Sequence, residues 1–444
     1  MELIPLLAHD SPQAVVAYRD AQPITARQFL ADALRLRGLL PEGGHVLNAC
    51  SDRYRFTVGL AASLIAGKTS LLPPTLVPAV LRQLRDFAPD VVCLTDEDES
   101  AIDLPTVRYP RDPATPANDW EVPRIRGDQV AACIFTSGST GTPVPHPKTW
   151  ARLVECVRVE AGRLGLDDGR RHVLAATVPP QHMYGFESSV LVALHGGHAL
   201  CAERPFYPAD VARVLDAVPR PRTLVSTPIH LRALLAAGIP LPPVDRVVCA
   251  TAPLDRAVAR EAESRFGAAL IEIYGCTETG QIASRRTTEG LEWQLWPGVE
   301  LTHRDGRTWA RGGHVVTPTA LGDVLELVAG GRFLLHGRNE DLVNIAGKRS
   351  SLAYLNHQLT TIPGVVDGAF FLREERARRS PTGTARLAAV AVAPGLTAAV
   401  LIRELRNRVD PVFLPRPLLI VESIPRNSTG KLPRSALQSL TGLI

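Results

Sequence analysis

The sequence predicts an α/β protein with a large N-terminal domain of βαβ-built sheets, residues 1–339, and a small α+β C-terminal domain, residues 340–444. Two observations support this prediction. Short apolar runs alternate with amphipathic helical stretches through most of the chain, which is typical of parallel strands covered by helices. After about residue 290 the pattern changes to strand-rich segments separated by turns.

The elements follow one another in a regular order. Short apolar runs predict buried strands at 91–96, 130–137, 172–178, 223–227, 246–251 and 270–275. Amphipathic patterns predict helices at 206–218 and 253–266. Within 323–338, Gly330 and Gly331 predict the turn of a hairpin, and a compact βαβ-like region follows from about residue 340.

Composition excludes several classes of protein. Of 444 residues, 45% are hydrophobic and 21% are charged, and the net charge of +4 gives no reason to expect a nucleic-acid or membrane partner. The seven cysteines show no CxxC or Cys/His spacing, so a zinc site or a disulfide framework is not expected. The N-terminal apolar run is too short for a signal peptide, and no run reaches the ~18 apolar residues of a membrane span. We therefore expect a soluble, cytoplasmic protein.

Charge is unevenly distributed along the chain. Residues 340–444 hold 14 Lys/Arg and 8 Asp/Glu, a balance of +6 that leaves −2 for the remainder. A basic C-terminal domain suits an anionic partner, although any single arginine there is more simply interpreted as part of a solvated face.

The stretch "FTSGSTGTPVPHPKTW" at 135–150 predicts a phosphate-binding loop. Gly138 and Gly141 permit positive φ and close backbone approach. The surrounding hydroxyl side chains and backbone N–H groups predict an anion nest, and they belong to Thr136, Ser137, Ser139, Thr140 and Thr142. The Walker pattern does not fit here. The alternative is a Ser/Gly turn that binds nothing.

Two further stretches carry side chains suited to a nucleotide. In "EIYGCTETGQ" at 272–281, the Tyr274 ring suits a base, the Thr277 hydroxyl suits a phosphate and the Glu278 carboxylate suits Mg²⁺. Within 321–351, Asp323 supplies a carboxylate of the kind that binds ribose hydroxyls, and Arg338 follows a glycine. The alternative for residues 272–281 is a strand-to-loop turn whose glutamate is solvated and binds nothing.

A fourth stretch, "IPRNSTGKLPRSAL" at 424–437, places Lys431 in a turn near the C-terminus. In this order and with this separation, the four stretches resemble the acyl-adenylate-forming superfamily of acyl- and aryl-CoA ligases, peptide-synthetase adenylation domains and luciferases. The resemblance covers about residues 130–440, and residues 1–129 look like a shortened version of the family's N-terminal region.

The resemblance implies ATP and Mg²⁺ as cofactors, and it assigns roles to individual residues. Residues 136–142 would hold the β- and γ-phosphates, and Thr277 would bond the α-phosphate. Glu278 would ligate Mg²⁺. Tyr274, followed by Gly275, would stack on adenine. The residues expected to line the other face of adenine are Ala250, Thr251 and Ala252.

The resemblance also implies a mobile C-terminal domain. Asp323 and Arg338 would take the ribose hydroxyls, and Lys431 would bridge the attacking carboxylate and the α-phosphate during adenylation. Glu340 would be the hinge between the two domains, and Gly347 would lie beside the acceptor thiol after rotation.

One departure from the family pattern concerns the phosphate loop. Val144 and Pro145 stand where the family usually has Lys and Gly, Lys148 lies four residues late, and Trp150 stands near a position often occupied by His. Losing one exposed charged contact costs about 1 kcal/mol of ATP binding. The departure therefore bears on ATP affinity and leaves the predicted reaction class unchanged.

The acyl pocket is predicted around the stretch "QHMYGFESS" and the ends of two strands, at His182, Met183, Tyr184, Phe186, Glu187, Cys249 and Cys276. In the preferred interpretation, similar to aryl-CoA ligases, His182 polarises or gates the carboxylate and Phe186 walls an aromatic ring. In a second alignment Glu187 matches the acidic residue of amino-acid-activating domains and would pair with a substrate amine.

The acceptor implied by the resemblance is coenzyme A or the phosphopantetheine of an acyl carrier protein. The short chain and the P-V-P-H-P-K-T-W variant look like the small ligases of aryl-polyene and xanthomonadin pigment clusters, so we predict loading of a hydroxybenzoate-like acid onto a carrier protein. The alternatives are an aryl- or acyl-CoA ligase, a stand-alone amino-acid-activating enzyme, and a catalytically silent nucleotide-binding regulator. The presence of Glu278, Asp323, Arg338 and Lys431 together argues against the regulator.

Overall fold

The computed structural model describes residues 2–98, 102–117, 120–137, 143–338, 342–345, 348–372, 387–426 and 432. The chain forms two compact units. The first contains Met1–Gly290, Gln294–Glu300 and Arg311–Thr319, and the second contains Leu291–Trp293, Leu301–Ala310 and Ala320–Ile444. The predicted domain division between residues 339 and 340 stays a prediction. The predicted residues that lie outside the described ranges are Gly138, Ser139, Thr140, Gly141, Thr142, Glu340, Gly347 and Lys431.

The first part of the chain folds into β1 Leu3–Pro5, β2 Val15–Arg19, β3 Gln22–Thr25, α1 Ala26–Leu39, β4 His45–Asn48, α2 Arg53–Ile65, β5 Thr69–Leu72, α3 Pro78–Phe87, β6 Val92–Thr95, β7 Thr106–Arg108, β8 Arg124–Arg126, β9 Val130–Ser137, β10 Pro143–Thr149 and α4 Trp150–Leu164. Strands β4 to β7, β9 and β10 form a six-stranded sheet in the order β10-β9-β5-β4-β6-β7. Its pairs are parallel except for the antiparallel β9–β10 hairpin.

The next part folds into β11 Val173–Ala176, α5 Met183–Gly185, a π-helical segment Phe186–Leu191, α6 Val192–Gly196, β12 Ala199–Cys201, α7 Pro208–Asp216, β13 Arg222–Ser226, α8 Pro228–Ala236, β14 Arg246–Cys249, α9 Arg256–Phe266, β15 Leu270–Cys276, β16 Gly280–Arg285 and β17 Trp293–Leu295. A larger sheet places β17-β16-β15-β14-β13-β11-β12-β2-β3 side by side, with parallel pairing from β15 to β2. The predicted α/β class and its buried strands are confirmed.

The predicted helices begin later than expected, for identifiable reasons. The helix predicted at 253–266 begins at Arg256, because the Asp255 side chain caps it by accepting from the backbone N–H groups of Ala257 and Val258. The helix predicted at 206–218 spans Pro208–Asp216, with the proline in its first turn, where a missing N–H has no cost.

Helix α4 connects the β9–β10 hairpin to the interior of the first unit. Its buried residues recur with helical spacing, so one face is apolar and packs inward. That face contacts the helical stretch that begins at Met183 and also contacts strand β16. The helix ends at Leu164 and is capped by Gly165, whose φ of 66° is the left-handed conformation of a C-terminal cap.

The remaining elements are β18 Glu300–Arg304, β19 Arg307–Gly312, β20 Val315–Ala320, β21 Asp323–Val328, β22 Arg332–Arg338, β23 Leu342–Ile345, β24 Lys348–Ser351, α10 Leu352–Thr360, β25 Asp367–Leu372, β26 Leu387–Val392, α11 Ala398–Arg406, a 3₁₀ turn Pro411–Phe413 and β27 Leu418–Ile420. The hairpin predicted within 323–338 is confirmed, with Gly330 and Gly331 in its turn at φ values of 77° and 68°. Strand β26, helix α11 and parallel strand β27 form a βαβ unit, in agreement with the predicted C-terminal pattern. Among the helices of the described ranges, none is both long enough and apolar enough to cross a bilayer.

Candidate functional site

The candidate site lies in the first unit, where the β9–β10 hairpin contacts the turn between β15 and β16. The Lys148 ammonium donates a hydrogen bond of 2.8 Å to the backbone carbonyl of Glu278. The Thr136 hydroxyl and His146 Nε2 are hydrogen-bonded at 3.0 Å, and the same nitrogen lies 3.8 Å from Glu278 Oε1. The hairpin that flanks the predicted phosphate loop is therefore beside the predicted metal ligand.

The pleat of strand β10 accounts for this contact. His146 and Lys148 are two residues apart, so they lie on the same face of the strand. The register pairs Pro143 with Ser137, which leaves residues 138–142 as the connection between the two strands. No role was assigned to His146 or Lys148 from the sequence. The alternation of polar side chains with prolines in "PHPKT" is the signal that could have placed both side chains on one face of a strand.

Glu278 has the properties of a Mg²⁺ ligand. Its side chain is 40% exposed. Burial opposes ionisation, but hydrogen bonds from its own backbone and from Cys276, with the charges of His146 and Lys148, leave the pKa of Glu278 below its ordinary value. Within the described ranges, no group of three or more His, Cys, Asp or Glu side chains could hold a metal ion. A single ionised carboxylate beside phosphate oxygens is a common way to bind Mg²⁺, so the residues present fit this ion.

The end of strand β15 approaches the neighbouring backbone closely. A Cβ at Gly275 would lie 2.3 Å from the carbonyl oxygen of Gly280, so only glycine fits there. The pairing with β16 has an irregularity between Tyr274 and Gly275, and Tyr274 is buried. The turn is closed by Thr279, whose hydroxyl contacts Cys276 Sγ at 3.2 Å and the Gly280 carbonyl at 2.8 Å. Thr277 and Glu278 are therefore presented on a tight turn.

The segment after strand β14 contains an unusual backbone conformation. Thr251 has a φ of 86°, which is a steric outlier for a β-branched residue. Such conformations concentrate at functional sites, and Thr251 is one of three residues predicted to line adenine. Cys249, by contrast, is fully buried in the hydrophobic core of the sheet. The prediction that Cys249 lines the acyl pocket is not supported, because its thiol packs against core side chains.

The stretch from His182 to Glu187 is helical, which changes the expected pocket. His182 is the half-buried N-cap of α5. Tyr184 is buried, and its hydroxyl donates to the carbonyls of Ser226 and Val248 at 3.0 and 3.1 Å, which ties the ends of two strands together.

Phe186 was expected to form a wall of the pocket, and the structure places it elsewhere. Its ring is fully buried and packs edge-on against Phe56, with ring centroids 6.4 Å apart. Met183 and Glu187, four residues apart on one helical face, line the cavity instead. Met183 and Glu187 were both expected near the pocket, and helical spacing brings this pair to the cavity while Phe186 packs in the core.

A cavity of about 560 Å³ adjoins the site, and its lining residues belong to the first unit. Its polar lining includes Lys148, Glu187, Glu278 and His314. Cys156 Sγ donates to Glu187 Oε1 at 3.4 Å. Burial raises the pKa of Glu187 to about 7, against the opposing effect of the Lys148 charge. One wall of the cavity is therefore a buried carboxylate with an amine beside it.

The predicted ribose ligands lie in the second unit. Asp323 and Arg338 face each other in the register of the β21–β22 hairpin. Residues 323 and 338 are fifteen positions apart in the sequence and are neighbours across the hairpin. Their proposed contacts with ribose stay predictions.

Comparisons with known proteins agree on one family. Residues 8–307 match the family described as AMP-binding enzyme. The 4-coumarate–CoA ligase of Rhodobacter capsulatus is 30% identical over 240 residues, which cover 54% of this chain and 60% of that enzyme. The 4-chlorobenzoate–CoA ligase of an Arthrobacter species is 25% identical over 372 residues, covering 74% of this chain and 69% of that enzyme.

Solved structures share the fold over almost the whole chain. ATP-bound MatB from Rhodopseudomonas palustris superposes with a TM-score of 0.80 at 19% identity, covering 98% of this chain and 97% of that one. The o-succinylbenzoate CoA synthetase of Bacillus subtilis, in complex with its acyl-adenylate intermediate, gives 0.80 at 18% identity, covering 97% and 96%. At these identities the likeness shows a common fold.

Proposed function

The chain belongs to the AMP-binding enzyme family, and we propose that it is an AMP-forming acid–thiol ligase. In the first half-reaction a carboxylate oxygen attacks the α-phosphorus of ATP and pyrophosphate leaves. In the second, a thiol attacks the acyl carbon of the adenylate, AMP leaves and the thiol proton is released. The observation that carries the proposal is the approach of Thr136, His146 and Glu278 to one another at the base of the phosphate loop.

The nucleotide would be held by residues on three segments of the first unit. Residues 136–142 would cradle the outer phosphates, Thr277 would bond the α-phosphate, and Tyr274 would stack on adenine opposite residues 250–252. Glu278 would hold Mg²⁺, which neutralises charge on the phosphates and the departing pyrophosphate. The fixed turn that presents Thr277 and Glu278 supports these roles, because positioning supplies much of the catalysis in phosphoryl chemistry.

The C-terminal residues would complete the reaction. We propose that Asp323 and Arg338 bind ribose and that Lys431 neutralises charge between the attacking carboxylate and the α-phosphate. Rotation about Glu340 would then remove Lys431 and bring Gly347 beside the thiol, which is gating by a mobile domain.

The acid is proposed to be a small aromatic carboxylic acid of the hydroxybenzoate type. The names of two relatives, 4-coumarate–CoA ligase and 4-chlorobenzoate–CoA ligase, both denote aromatic acids. A cavity of about 560 Å³ beside Glu278 is large enough for such a ring. With Phe186 in the core, we assign the wall of the cavity to Met183 and its neighbours rather than to a phenylalanine.

The thiol acceptor is proposed to be a phosphopantetheine group. The relatives' names favour coenzyme A. The charge of +6 on residues 340–444 favours an acidic acyl carrier protein as a second candidate, which would suit loading of a starter acid for an aryl-polyene pigment.

A panel of carboxylic acids tests the reaction class. Pyrophosphate release is measured with ATP, Mg²⁺ and aromatic, aliphatic and amino acids, and thioester formation is then measured with coenzyme A and with a holo carrier protein. We expect acid-dependent release, greatest with aromatic acids. A folded protein that binds ATP and releases no pyrophosphate with any acid would instead be a nucleotide-binding regulator.

A further inference from the structure

Two residues that line the cavity each have a buried polar atom without a hydrogen-bond partner. Glu187 is 1% exposed, and its Oε1 accepts from Cys156 while its Oε2 has no hydrogen-bond partner. His314 is 8% exposed, and its Nε2 also has none. Both residues line the cavity of the candidate site. Because buried polar atoms are nearly always hydrogen-bonded, a ligand group or a water is expected to contact them.

Lys148 supplies a donor in the same cavity. One of its three N–H groups donates to the Glu278 carbonyl, which leaves two for other partners. Lys148 and Glu187 attract each other electrostatically. Both side chains belong to the described part of the chain, and they form no direct ion pair there. The Glu187 carboxylate and the Lys148 ammonium therefore belong to the lining of one cavity without bonding to each other.

We propose that a hydroxyl group of the acid substrate bridges these two side chains, donating to Glu187 Oε2 and accepting from Lys148 Nζ. The proposal rests on the proposed ligase function and specifies its substrate class as hydroxylated acids. A hydroxyl is both a donor and an acceptor, so it satisfies both groups at once. An unsubstituted ring would leave Glu187 Oε2 unpaired in a buried place, which is costly.

The charges of the cavity disfavour an ammonium in place of the hydroxyl. An ammonium only donates, so it would offer Lys148 no acceptor and would meet a like charge. Burial raises the pKa of Glu160 and of the Cys156 thiol well above their ordinary values, which disfavours a negative charge on either group. Lys148 already offsets Glu187. This balance favours the hydroxylated-acid interpretation over the amino-acid interpretation of Glu187.

Specificity ratios test the bridge. ATP–pyrophosphate exchange is measured with 3-hydroxybenzoate, 4-hydroxybenzoate, benzoate and 4-(aminomethyl)benzoate. The variants are Glu187→Met, Lys148→Met and the double variant, and the control is Glu261→Met on the exposed face of α9. Ratios of kcat/KM between acids are compared because general effects on adenylation cancel. Thermal unfolding shows that each variant is folded.

For the wild type and the control we expect one hydroxybenzoate to be preferred over benzoate by about 10- to 100-fold, the range for a hydrogen bond to a charged group. Each single variant should lose most of this preference. The double variant should lose little more than either single variant, because both residues act on one hydroxyl.

The outcomes separate this inference from the proposed function. If the wild type uses benzoate as efficiently as the hydroxybenzoates, or prefers the aminomethyl acid, the bridge is wrong and the proposed ligase function still stands. If no acid supports exchange, the ligase proposal fails, and calorimetric titration of 4-hydroxybenzoate and benzoate into wild type and Glu187→Met still tests the bridge. Equal binding of the two acids, or none, overturns it, whereas hydroxyl-dependent binding lost in Glu187→Met supports it.

Discussion

The ammonium of Lys148 on strand β10 donates a 2.8 Å hydrogen bond to the backbone carbonyl of Glu278, in the turn between β15 and β16. This bond joins the six-stranded sheet to the larger sheet at the place where the candidate nucleotide site lies. The loop lacks its usual lysine, yet Lys148 brings a cation to the turn that carries Thr277 and Glu278. We therefore assign Lys148 to substrate binding and to support of this turn.

Replacing Glu278 by glutamine tests its role as a Mg²⁺ ligand. The change removes one anionic ligand and keeps the size of the side chain, so the Mg²⁺ concentration for half-maximal pyrophosphate release should rise by at least about 10-fold. The matched control is Glu289→Gln, an exposed glutamate paired with Arg286. An unchanged Mg²⁺ titration at the normal rate would remove Glu278 from the metal site.

Lys431→Ala separates the two half-reactions. The lysine is proposed to act only while the adenylate forms, so adenylation should be lost while transfer from a synthetic acyl-adenylate to the thiol continues. Both are measured on the same preparation, the first by pyrophosphate release and the second by thioester formation. Equal loss of both half-reactions in a folded variant contradicts the assignment.

Much of the fold can be predicted from the sequence because the signals are local. Continuous apolar runs such as 130–137 mark strands buried on both faces, and the Gly330-Gly331 pair marks a hairpin turn. Motifs at 136–142 and 272–281 were expected to share a site, and the Thr136–His146–Glu278 contacts bring their flanking residues together.

The acyl cavity could not be predicted as well, because its lining depends on long-range packing. Lys148 lines the cavity from strand β10 of the six-stranded sheet, and Gly280 lines it from strand β16 of the larger sheet. No local sequence pattern links the two residues. Phe186 and Cys249 were assigned to the pocket by motif position, whereas the helical spacing of Met183 and Glu187 and the packing of the core decide which side chains face it.

Thr251→Gly tests whether the strained backbone after β14 serves the site. Relief of a positive φ in a β-branched residue is worth about 1–3 kcal/mol, offset by about 1 kcal/mol for the flexibility of glycine in the unfolded chain. The free energy of unfolding should hold or rise by up to about 2 kcal/mol, while the KM for ATP rises. Denaturant unfolding measures the free energy of unfolding, and the kinetics of ATP–pyrophosphate exchange measure the KM for ATP. A clear fall in the free energy of unfolding would show that the contacts of Thr251 outweigh its backbone strain.

Buried histidines predict a loss of stability in acid. His9, His195 and His198 are 4%, 5% and 2% exposed, and burial lowers their pKa values to about 4, 3 and 4. Above pH ~6.5 each is neutral in both the folded and the unfolded chain. Below that pH these histidines bind protons in the unfolded chain but remain neutral in the folded chain. The free energy of unfolding therefore falls as pH decreases toward about 4. Each group contributes up to about 1.4 kcal/mol per pH unit.

His195→Leu isolates one of these histidines. Neither ring nitrogen of His195 has a hydrogen-bond partner, and the ring packs edge-on against Trp150 at 5.0 Å, so an apolar side chain of similar size should be tolerated. Removing the group removes its proton uptake, and the fall in the free energy of unfolding between pH 7 and pH 5 should shrink by about 1–2 kcal/mol. Urea unfolding at several pH values measures this slope. The control is the exposed His303→Leu, which should leave the slope unchanged. An unaltered slope in His195→Leu would mean that this histidine takes up its proton in the folded chain as readily as in the unfolded one.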